Sequence, residues 1–255
     1  MADFTKGFSR RTALKGGAVL GGAIAAPTFF MRNAFGADFR NNPGNNANVP
    51  FGFNVPQTGP YADEGADELR AYQLAVKHLN GEGDGGMLNT MKPLSLKGNG
   101  ILGKKVTYVT GDTQTKSDAA RASARRMIEK DGVIMFTGGS SSGVAVACQS
   151  LGQELGIVYM CGLTHSNDTT GKDKRRYGFR HFFNAYMSGR ALGPVLAQEM
   201  GKDRRAYHLT ADYTWGWTQE ESMKNTTEEL GWETVAAVKT PLGAGDFSQY
   251  ITPVL

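Results

Sequence analysis

The chain has 255 residues, and its 28 Lys and Arg against 24 Asp and Glu give a formal net charge of +4. That excess lies in residues 1–37, because residues 38–255 carry 23 basic and 23 acidic side chains, so the charge gives no reason to expect a nucleic-acid partner. Two cysteines, Cys148 and Cys161, are too few for a disulfide scaffold. We expect two buried free thiols, with a disulfide as the alternative. The four histidines have no metal-ligand spacing, and we expect neither a metal nor a cofactor.

Residues 1–37 have the pattern of an export signal. Ser9-Arg10-Arg11-Thr12 contains paired arginines, a weakly apolar stretch runs from Gly16 to Phe30, and small residues at 34–37 suit a signal peptidase. Glycines and Pro27 interrupt this stretch, which makes it too poor for a membrane span. The segment resembles a twin-arginine (Tat) signal, which implies export to the periplasm through the Tat translocase. An uncleaved N-terminal anchor is the alternative.

Predicted strands and helices alternate after an Asn- and Gly-rich linker at residues 38–48. The polar, glycine-rich residues 82–100 are predicted to form a loop. This alternation predicts an α/β fold in which parallel strands lie between helices. The predicted strands are Val49–Val55, Lys105–Thr110, Val133–Thr137, Ile157–Cys161, the extended Tyr177–Phe183, Arg205–Thr210 and Glu233–Thr240. The predicted helices are Ala62–Asn80, a helix capped by Ser117 and running to Lys130, Ser142–Leu155, Ser188–Met200, Trp217–Leu230 and a last one starting at Asp246.

The densest polar cluster is Gly138-Gly139-Ser140-Ser141-Ser142-Gly143, which follows a predicted strand and opens a helix. In parallel sheets, ligands bind at the carboxyl ends of the strands. Free backbone N–H groups and serine hydroxyls at this helix start would suit a carboxylate. The absence of a Gly-Lys-Ser/Thr ending excludes a Walker phosphate loop. An ordinary serine cap in a glycine-rich turn is the structural alternative.

The same residues also satisfy G-x-S-x-G, the nucleophile elbow of α/β-hydrolases, with Ser141 as the nucleophile. Such an enzyme needs an acid and a histidine later in the chain. His165, His181 and His208 follow, but none of them lies in a catalytic motif. An esterase of this type is therefore the enzymatic alternative.

Two more polar or aromatic clusters follow predicted strands. Leu163 to Thr170 offers hydroxyls and an imidazole beside the serine cluster, although it also fits a polar surface turn. Tyr213-Thr214-Trp215-Gly216-Trp217 carries two indoles that could stack on a ligand or contact an ammonium group, although aromatic residues in an α/β unit are often core residues.

The order and spacing of several short motifs resemble the type I periplasmic solute-binding proteins of ABC importers, in the branched-chain amino-acid and amide group. The resemblance implies two α/β lobes that close on a solute, a binding protein rather than an enzyme, and an inner-membrane ABC permease as partner. These motifs are Gln57-Thr58-Gly59-Pro60-Tyr61-Ala62, Gly65, Asn80-Gly81, Ile101-Leu102-Gly103-Lys104-Lys105, Asp112, Asp131-Gly132-Val133, the Gly138–Gly143 cluster, Phe179-Arg180 and Asp212-Tyr213-Thr214-Trp215-Gly216.

The resemblance also implies roles for individual residues. Ser142 corresponds to the serine whose hydroxyl and following N–H bind the ligand carboxylate. Leu163 and His165 stand where the family has an alanine carbonyl and a threonine, and Trp215 replaces a cleft tyrosine. Tyr61 is the aromatic residue after Thr-Gly-Pro. The candidate ligand-binding residues are Tyr61, Ser141, Ser142, Gly143, Leu163, Thr164, His165 and Trp215.

The resulting domain assignment places a signal peptide at 1–37, a linker at 38–48, a first ligand-binding lobe at 49–183, and a crossover with a partial second lobe at 184–255. We expect the C-terminal part of the family's fold to be absent. The expected solute is a branched-chain amino acid, an amide or urea, or a related carboxylate. The departures at His165 and Trp215 make leucine-type specificity doubtful, and a urea, an amide or an aromatic acid is equally open. A periplasmic sensor domain with the same cleft is a further alternative.

Overall fold

The computed structural model describes residues 47–82 and 98–254. The predicted signal peptide, most of the linker and most of the predicted loop at 82–100 lie outside the described residues.

The larger sheet has five parallel strands in the order β2-β1-β3-β4-β5. Because β1 lies between β2 and β3, the strand order reverses there, and ligands bind open α/β sheets at such a reversal. The loops after β1, β3 and β4 therefore lie next to one another at the carboxyl ends of the strands. The strands are β1 (Val49–Val55), β2 (Val106–Asp112), β3 (Met135–Gly138), β4 (Val158–Cys161) and β5 (Gly178–Arg180). Helices α1 (Ala62–Leu79), α2 (Ser117–Glu129) and α3 (Ser142–Leu155) follow β1, β2 and β3.

The smaller sheet pairs two parallel strands, β6 (Arg205–Ala211) and β7 (Glu233–Thr240). Helix α4 (Ala185–Met200) precedes β6, and α5 (Thr214–Glu229) connects the two strands. The short helix α6 (Ser248–Ile251) runs into a 3₁₀ turn at Thr252–Val254. A second 3₁₀ turn, Asn167–Thr169, lies between β4 and β5.

Two hydrophobic clusters hold the helices on the larger sheet. Helices α2 and α3 share one cluster, and α1 contributes to a separate one, as expected when helices flank a parallel sheet. The predicted α/β fold with a parallel sheet flanked by helices is therefore confirmed. The first cluster contains Ala120, Ala124, Met127, Ile128, Val133, Phe136, Val144, Ala145, Cys148, Leu151, Ile157, Tyr159 and Cys161. The second contains Phe53, Val76 and Val106, with Phe51, Leu69, Tyr72, Leu79 and Ile101 packed against it.

Cys148 and Cys161 are buried free thiols, as predicted. Burial raises the pKa of the Cys148 thiol to about 12, so this side chain behaves as a small apolar core residue.

Several element boundaries differ from the predicted ones. Helix α5 begins at Thr214 rather than Trp217, because Tyr213 is the last extended residue and the Thr214 hydroxyl donates to Asp168. Helix α4 begins at Ala185 rather than Ser188, because the Asn184 side chain accepts a hydrogen bond from the third helical N–H group and caps the helix. Ser117 is the first residue of α2 and not its cap. Helix α6 starts two residues after the predicted position, and β5 is shorter than the predicted strand.

Candidate functional site

A cleft of about 180 Å³ lies between the loops after β1, β3 and β4 and the start of α5. A space of this size suits a small solute. The residues that line it are Tyr61, Glu64, Ser140, Ser142, Leu163, His165, Tyr213 and Trp215.

The turn between β3 and α3 aims the start of that helix at the cleft. Gly138 has φ +118°, and a Cβ atom there would lie 2.5 Å from the backbone carbonyl oxygen of Asn54, so this turn requires glycine. Ser141 occupies the N-cap position of α3, and its side chain makes no capping hydrogen bond within the described residues. The first N–H groups of α3 and the positive end of its dipole are therefore available to an anion.

Two serine hydroxyls add hydrogen-bonding capacity at the same point. Ser142 is buried, and its Oγ accepts a hydrogen bond from the backbone N–H of Ser166 at 3.1 Å. The Ser142 hydroxyl proton can therefore be donated to a ligand. The Oγ of Ser140 is buried and has no hydrogen-bond partner among the described residues. Because unsatisfied buried polar atoms are rare in folded proteins, this oxygen favours a polar ligand in the cleft.

The loop after β4 is held by Arg180, whose guanidinium donates to the backbone carbonyls of Thr164, at 2.7 Å, and of Ser166. Thr164 is fully buried, and its hydroxyl contacts the Sγ of Cys161 beneath the loop. The Thr164 side chain therefore lies away from the cleft, while the residues on either side of it, Leu163 and His165, line the cleft.

His165 contributes a planar and neutral ring to the cleft. Its imidazole stacks on Phe183 with ring centroids 4.4 Å apart and contacts Phe182 at 4.9 Å. Burial and the nearby Arg180 lower the pKa of His165, so the neutral form predominates at neutral pH. Its Nε2 atom is buried and has no hydrogen-bond partner among the described residues.

The first turn of α5 forms the opposite wall. Thr214 anchors this turn, because its hydroxyl contacts both Asp168 Oδ2 and Ser166 Oγ at 2.8 Å. Trp215 follows directly and lies 5.9 Å from Tyr213 and 6.4 Å from His165, measured between ring centroids. The indole is therefore held across from the loop after β4.

Tyr61 and Glu64 bring the start of α1 to the cleft. The Tyr61 hydroxyl lies 2.6 Å from the hydroxyl of Tyr213, and this hydrogen bond joins the α1 side of the cleft to the α5 side. Burial raises the pKa of Tyr61, so this hydroxyl stays protonated at neutral pH. Glu64 carries the one carboxylate among the lining residues and can accept a hydrogen bond from a hydroxyl or an ammonium group.

The structure brings together five of the candidate residues, and they are joined in the cleft by three others that were not among the candidates. Ser140 and Tyr213 belong to clusters visible in the sequence, and Glu64 lies one helical turn after Tyr61, a spacing that could have identified it. The five candidates in the cleft are Tyr61, Ser142, Leu163, His165 and Trp215, and the three outside its lining are Ser141, Gly143 and Thr164.

The backbone at Ser141 does not have the strained turn of a nucleophile elbow. Its φ of −88° and ψ of 128° are ordinary extended values, and its side chain is buried. Within residues 47–82 and 98–254, no group of His, Cys, Asp and Glu side chains could hold a metal ion. No helix in the same part of the chain is both long and apolar enough to cross a membrane.

Comparison with known proteins identifies similar chains from several bacteria. Leu/Ile/Val-binding protein homolog 7 of Brucella suis biovar 1 (strain 1330) is 24% identical over 211 residues, which cover 80% of this chain and 49% of the relative. The chain thus spans about half the length of the curated relatives it matches.

Solved structures show the same fold. A periplasmic binding protein from Burkholderia mallei superposes with a TM-score of 0.66 at 24% identity, covering 81% of this chain and 50% of the other. A second structure is a solute-binding protein of an ABC transporter from Rhodopseudomonas palustris BisB5 in complex with 3,4-dihydroxybenzoic acid. It has a TM-score of 0.67 at 22% identity, and the match covers 82% of this chain and 52% of the other. A third structure is a branched-chain amino acid transporter substrate-binding protein from Streptococcus pneumoniae in complex with isoleucine. It has a TM-score of 0.65 at 20% identity, and the match covers 81% of this chain and 53% of the other.

A family profile described as "periplasmic binding protein" matches residues 48–254. Together with the unstrained backbone at Ser141, this match to binding proteins rather than enzymes shows that the esterase alternative is wrong. Because the match extends over most of the sequence, the chain belongs to the periplasmic binding protein family.

Proposed function

We propose that this protein is the periplasmic substrate-binding component of an ABC importer, and that it captures a small carboxylate bearing a planar ring for delivery to an inner-membrane permease. Membership of the periplasmic binding protein family supports the general role. The chemistry of the cleft supports the class of solute. The proposal includes export by the Tat translocase and two lobes, divided near residues 183 and 184, that close on the solute.

The observation that carries this proposal is the start of α3 in the cleft. Its first-turn N–H groups have no side-chain cap within the described residues, and the hydroxyls of Ser140 and Ser142 lie beside them. A carboxylate can accept hydrogen bonds from several of these donors at once, and the positive end of the helix dipole stabilises its negative charge. A neutral amide has no negative charge to place there and should bind less tightly.

The other walls favour a ring over a branched aliphatic chain. Four of the lining residues carry planar rings, and Leu163 is the one aliphatic side chain among the eight. Aromatic pairs gain about 0.5–1.5 kcal/mol beyond the burial of their area, so a planar ligand exploits this cleft better than an isoleucine side chain. Glu64 could accept a hydrogen bond from a hydroxyl or ammonium group on the ligand. Hydroxybenzoates and aromatic amino acids carry such groups, so both belong to the expected class of solute.

A thermal-shift experiment on the protein tests the solute class. The compounds are 4-hydroxybenzoate, L-phenylalanine, L-isoleucine and urea. A ligand present at one hundred times its Kd stabilises the folded state by about 2.7 kcal/mol, so binders raise the unfolding temperature. We expect the two ring-bearing carboxylates to give larger shifts than isoleucine and urea. A larger shift with urea or isoleucine would contradict the assigned class.

Replacing Ser142 with alanine is expected to weaken binding of the ring-bearing carboxylate by about 1–3 kcal/mol, because the charged acceptor loses one donor in a buried site. Isothermal titration calorimetry measures the change in Kd. Ser150→Ala is the matched control, since it makes the same substitution further along α3 and outside the cleft lining. Equal affinities of wild type and Ser142→Ala would show that this hydroxyl does not bind the solute.

Export is expected to depend on the arginine pair, which lies outside the described residues. Replacing Arg10 and Arg11 with lysine keeps the charge but removes both guanidinium groups, and the precursor should then accumulate in the cytoplasm. Cell fractionation measures the distribution, with Lys6→Arg as a control that changes a basic residue outside the pair. An unchanged periplasmic yield in the double variant would favour ordinary secretion or an anchor.

A further inference from the structure

One face of α1 continues from the cleft to the region beneath it. Tyr61, Glu64, Glu68 and Tyr72 follow one another at intervals of three or four residues, so they lie along one side of the helix. The first two line the cleft, whereas the last two do not. Glu68 and Tyr72 instead contact the loops that carry the solute-binding groups.

A hydrogen-bond network centred on Glu68 joins α1 to the ends of β3 and β4. The Tyr72 hydroxyl donates to Glu68 Oε1 at 2.7 Å, and the backbone N–H of Gly139 lies close enough to the same carboxylate to lower its pKa. The Tyr72 hydroxyl also lies 3.2 Å from the hydroxyl of Thr137, which donates to the Met160 carbonyl at 2.8 Å. Glu68 thus contacts the turn that leads directly into Ser140 and α3.

The loop after β4 packs against the same pair of side chains. A Cβ atom added at Gly162 would overlap Glu68 Oε1 and would lie 2.7 Å from the Tyr72 hydroxyl. Glycine at this position therefore lets the backbone approach the carboxylate closely. Since Leu163 and His165 follow on this loop, one carboxyl group contacts both segments that supply the larger-sheet side of the cleft.

We propose that Glu68 is a positioning residue for solute binding, whose carboxylate holds the Gly139 and Gly162 loops in the arrangement that brings the α3 donors and His165 to a common ligand. This inference rests on the proposed function, because it assigns those loops to the solute. An ionised carboxylate attracts an N–H group more strongly than a neutral amide oxygen does, so Glu68 beside the Gly139 N–H orders this turn more firmly than glutamine would.

The environment of Glu68 makes the carboxylate costly for the fold, which is expected of a residue kept for function. Burial raises its pKa to about 7, although the hydrogen bond from Tyr72 and the nearby Gly139 N–H lower it, and its Oε2 has no hydrogen-bond partner among the described residues. A pocket of about 310 Å³ beside it gives solvent access to this region. The titratable groups around Glu68 are Glu64, Asp67 and Tyr72 from α1, Tyr159 and Cys161 from β4, and His181 after β5.

Amide hydrogen exchange without added solute tests the positioning role directly. We expect Glu68→Ala to accelerate exchange at residues 138–143 and 162–166 by about tenfold, which corresponds to about 1.4 kcal/mol, and Glu68→Gln, which keeps a weaker acceptor, by about threefold. Strand β2 should exchange as in the wild type. Asp67→Asn is the matched control. Asp67 directly precedes Glu68 on α1, but its side chain is exposed and pairs with Arg70 rather than with either loop.

If Glu68→Ala leaves amide exchange in both loops unchanged, the proposal is wrong. The proposal is also wrong if exchange accelerates equally throughout the larger sheet, because that pattern indicates a merely structural role. Titrations with 4-hydroxybenzoate and L-phenylalanine form the second arm, in which Glu68→Ala should raise Kd by about tenfold. A wild-type protein that binds neither compound would contradict the proposed function, while the exchange rates would still decide the positioning of the loops. Equal affinities of wild type and Glu68→Ala would overturn the positioning role.

Discussion

Replacing Trp215 with alanine is expected to weaken binding of a ring-bearing carboxylate by about 2–4 kcal/mol, which corresponds to roughly 30- to 1000-fold in Kd. The indole forms the wall opposite His165, and Thr214 anchors the turn that carries it. Its removal opens the cleft to water and leaves the ligand ring without a partner on that side. Trp215→Phe should keep a larger part of the affinity, because it retains a planar ring.

Trp217 provides a matched control on the same helix. Its side chain is 44% exposed and lies outside the cleft lining, and its indole N–H donates to Asp212 at 2.9 Å. Trp217→Ala therefore removes the same side chain without changing the cleft, and calorimetric titrations should show a Kd within about threefold of the wild type. Equal losses for Trp215→Ala and Trp217→Ala would show that the effect is on the fold of α5 and not on the solute.

The stability of Glu68→Gln relative to the wild type is expected to be about 1–3 kcal/mol more favourable at pH 8 than at pH 5. The pKa of Glu68 is raised in the folded state to about 7 from an ordinary value of 4.5. The folded protein thus holds this proton more tightly than the unfolded chain does. The contribution of the Glu68 carboxyl group to the free energy of unfolding is fully present below pH 4.5. It declines as the pH rises towards 7 and is lost above pH 7.

Denaturant unfolding at pH 5, 6, 7 and 8 measures this effect as the difference between Glu68→Gln and the wild type. The difference cancels the titration of other carboxyl groups, such as Asp112, Glu154 and Asp246, whose pKa values are lowered by their hydrogen-bond or ion-pair partners and which therefore act at lower pH. A difference that stays constant across this range would contradict the raised pKa of Glu68.

The pH dependence of stability and the exchange of the loops together distinguish a positioning carboxylate from a structural one. Substitutions that only remove a structural contact lower stability and increase local exchange together. In Glu68→Gln, we expect the free energy of unfolding relative to the wild type to rise from pH 5 to pH 8, while exchange at Gly139 is faster than in the wild type. These opposite changes would separate a positioning carboxylate from an ordinary buried hydrogen-bond partner.

The element order of the larger sheet could be predicted because local patterns decide it. Short, mostly apolar segments such as Val49–Val55 alternate with helical stripes such as Leu69, Tyr72, Val76 and Leu79, and short parallel connections allow few topologies. Helix starts were less predictable, because distant side chains set them. The Thr214 hydroxyl finds its acceptor at Asp168, which is 46 residues away, and no local pattern reveals that pairing.

The composition of the cleft was predictable where a residue lies directly after a strand and less so elsewhere. Ser142 and His165 follow β3 and β4 within four residues, so strand ends locate them. Thr164, between two lining residues, turns into the core because its hydroxyl meets Cys161. Tyr213 joins the cleft through its hydrogen bond with Tyr61, a contact between residues 152 positions apart that only the folded chain reveals.

Calorimetric titration with 4-hydroxybenzoate and 4-hydroxybenzamide tests the central claim most directly, namely that the start of α3 binds the carboxylate of a ring-bearing solute. The two compounds share the ring and the hydroxyl and differ in the charged group. If the uncapped N–H groups and the serine hydroxyls bind a carboxylate, the acid should bind at least about tenfold more tightly than the amide, and Ser142→Ala should reduce that advantage. An amide that binds as tightly as the acid, or no binding of either compound, would contradict this account.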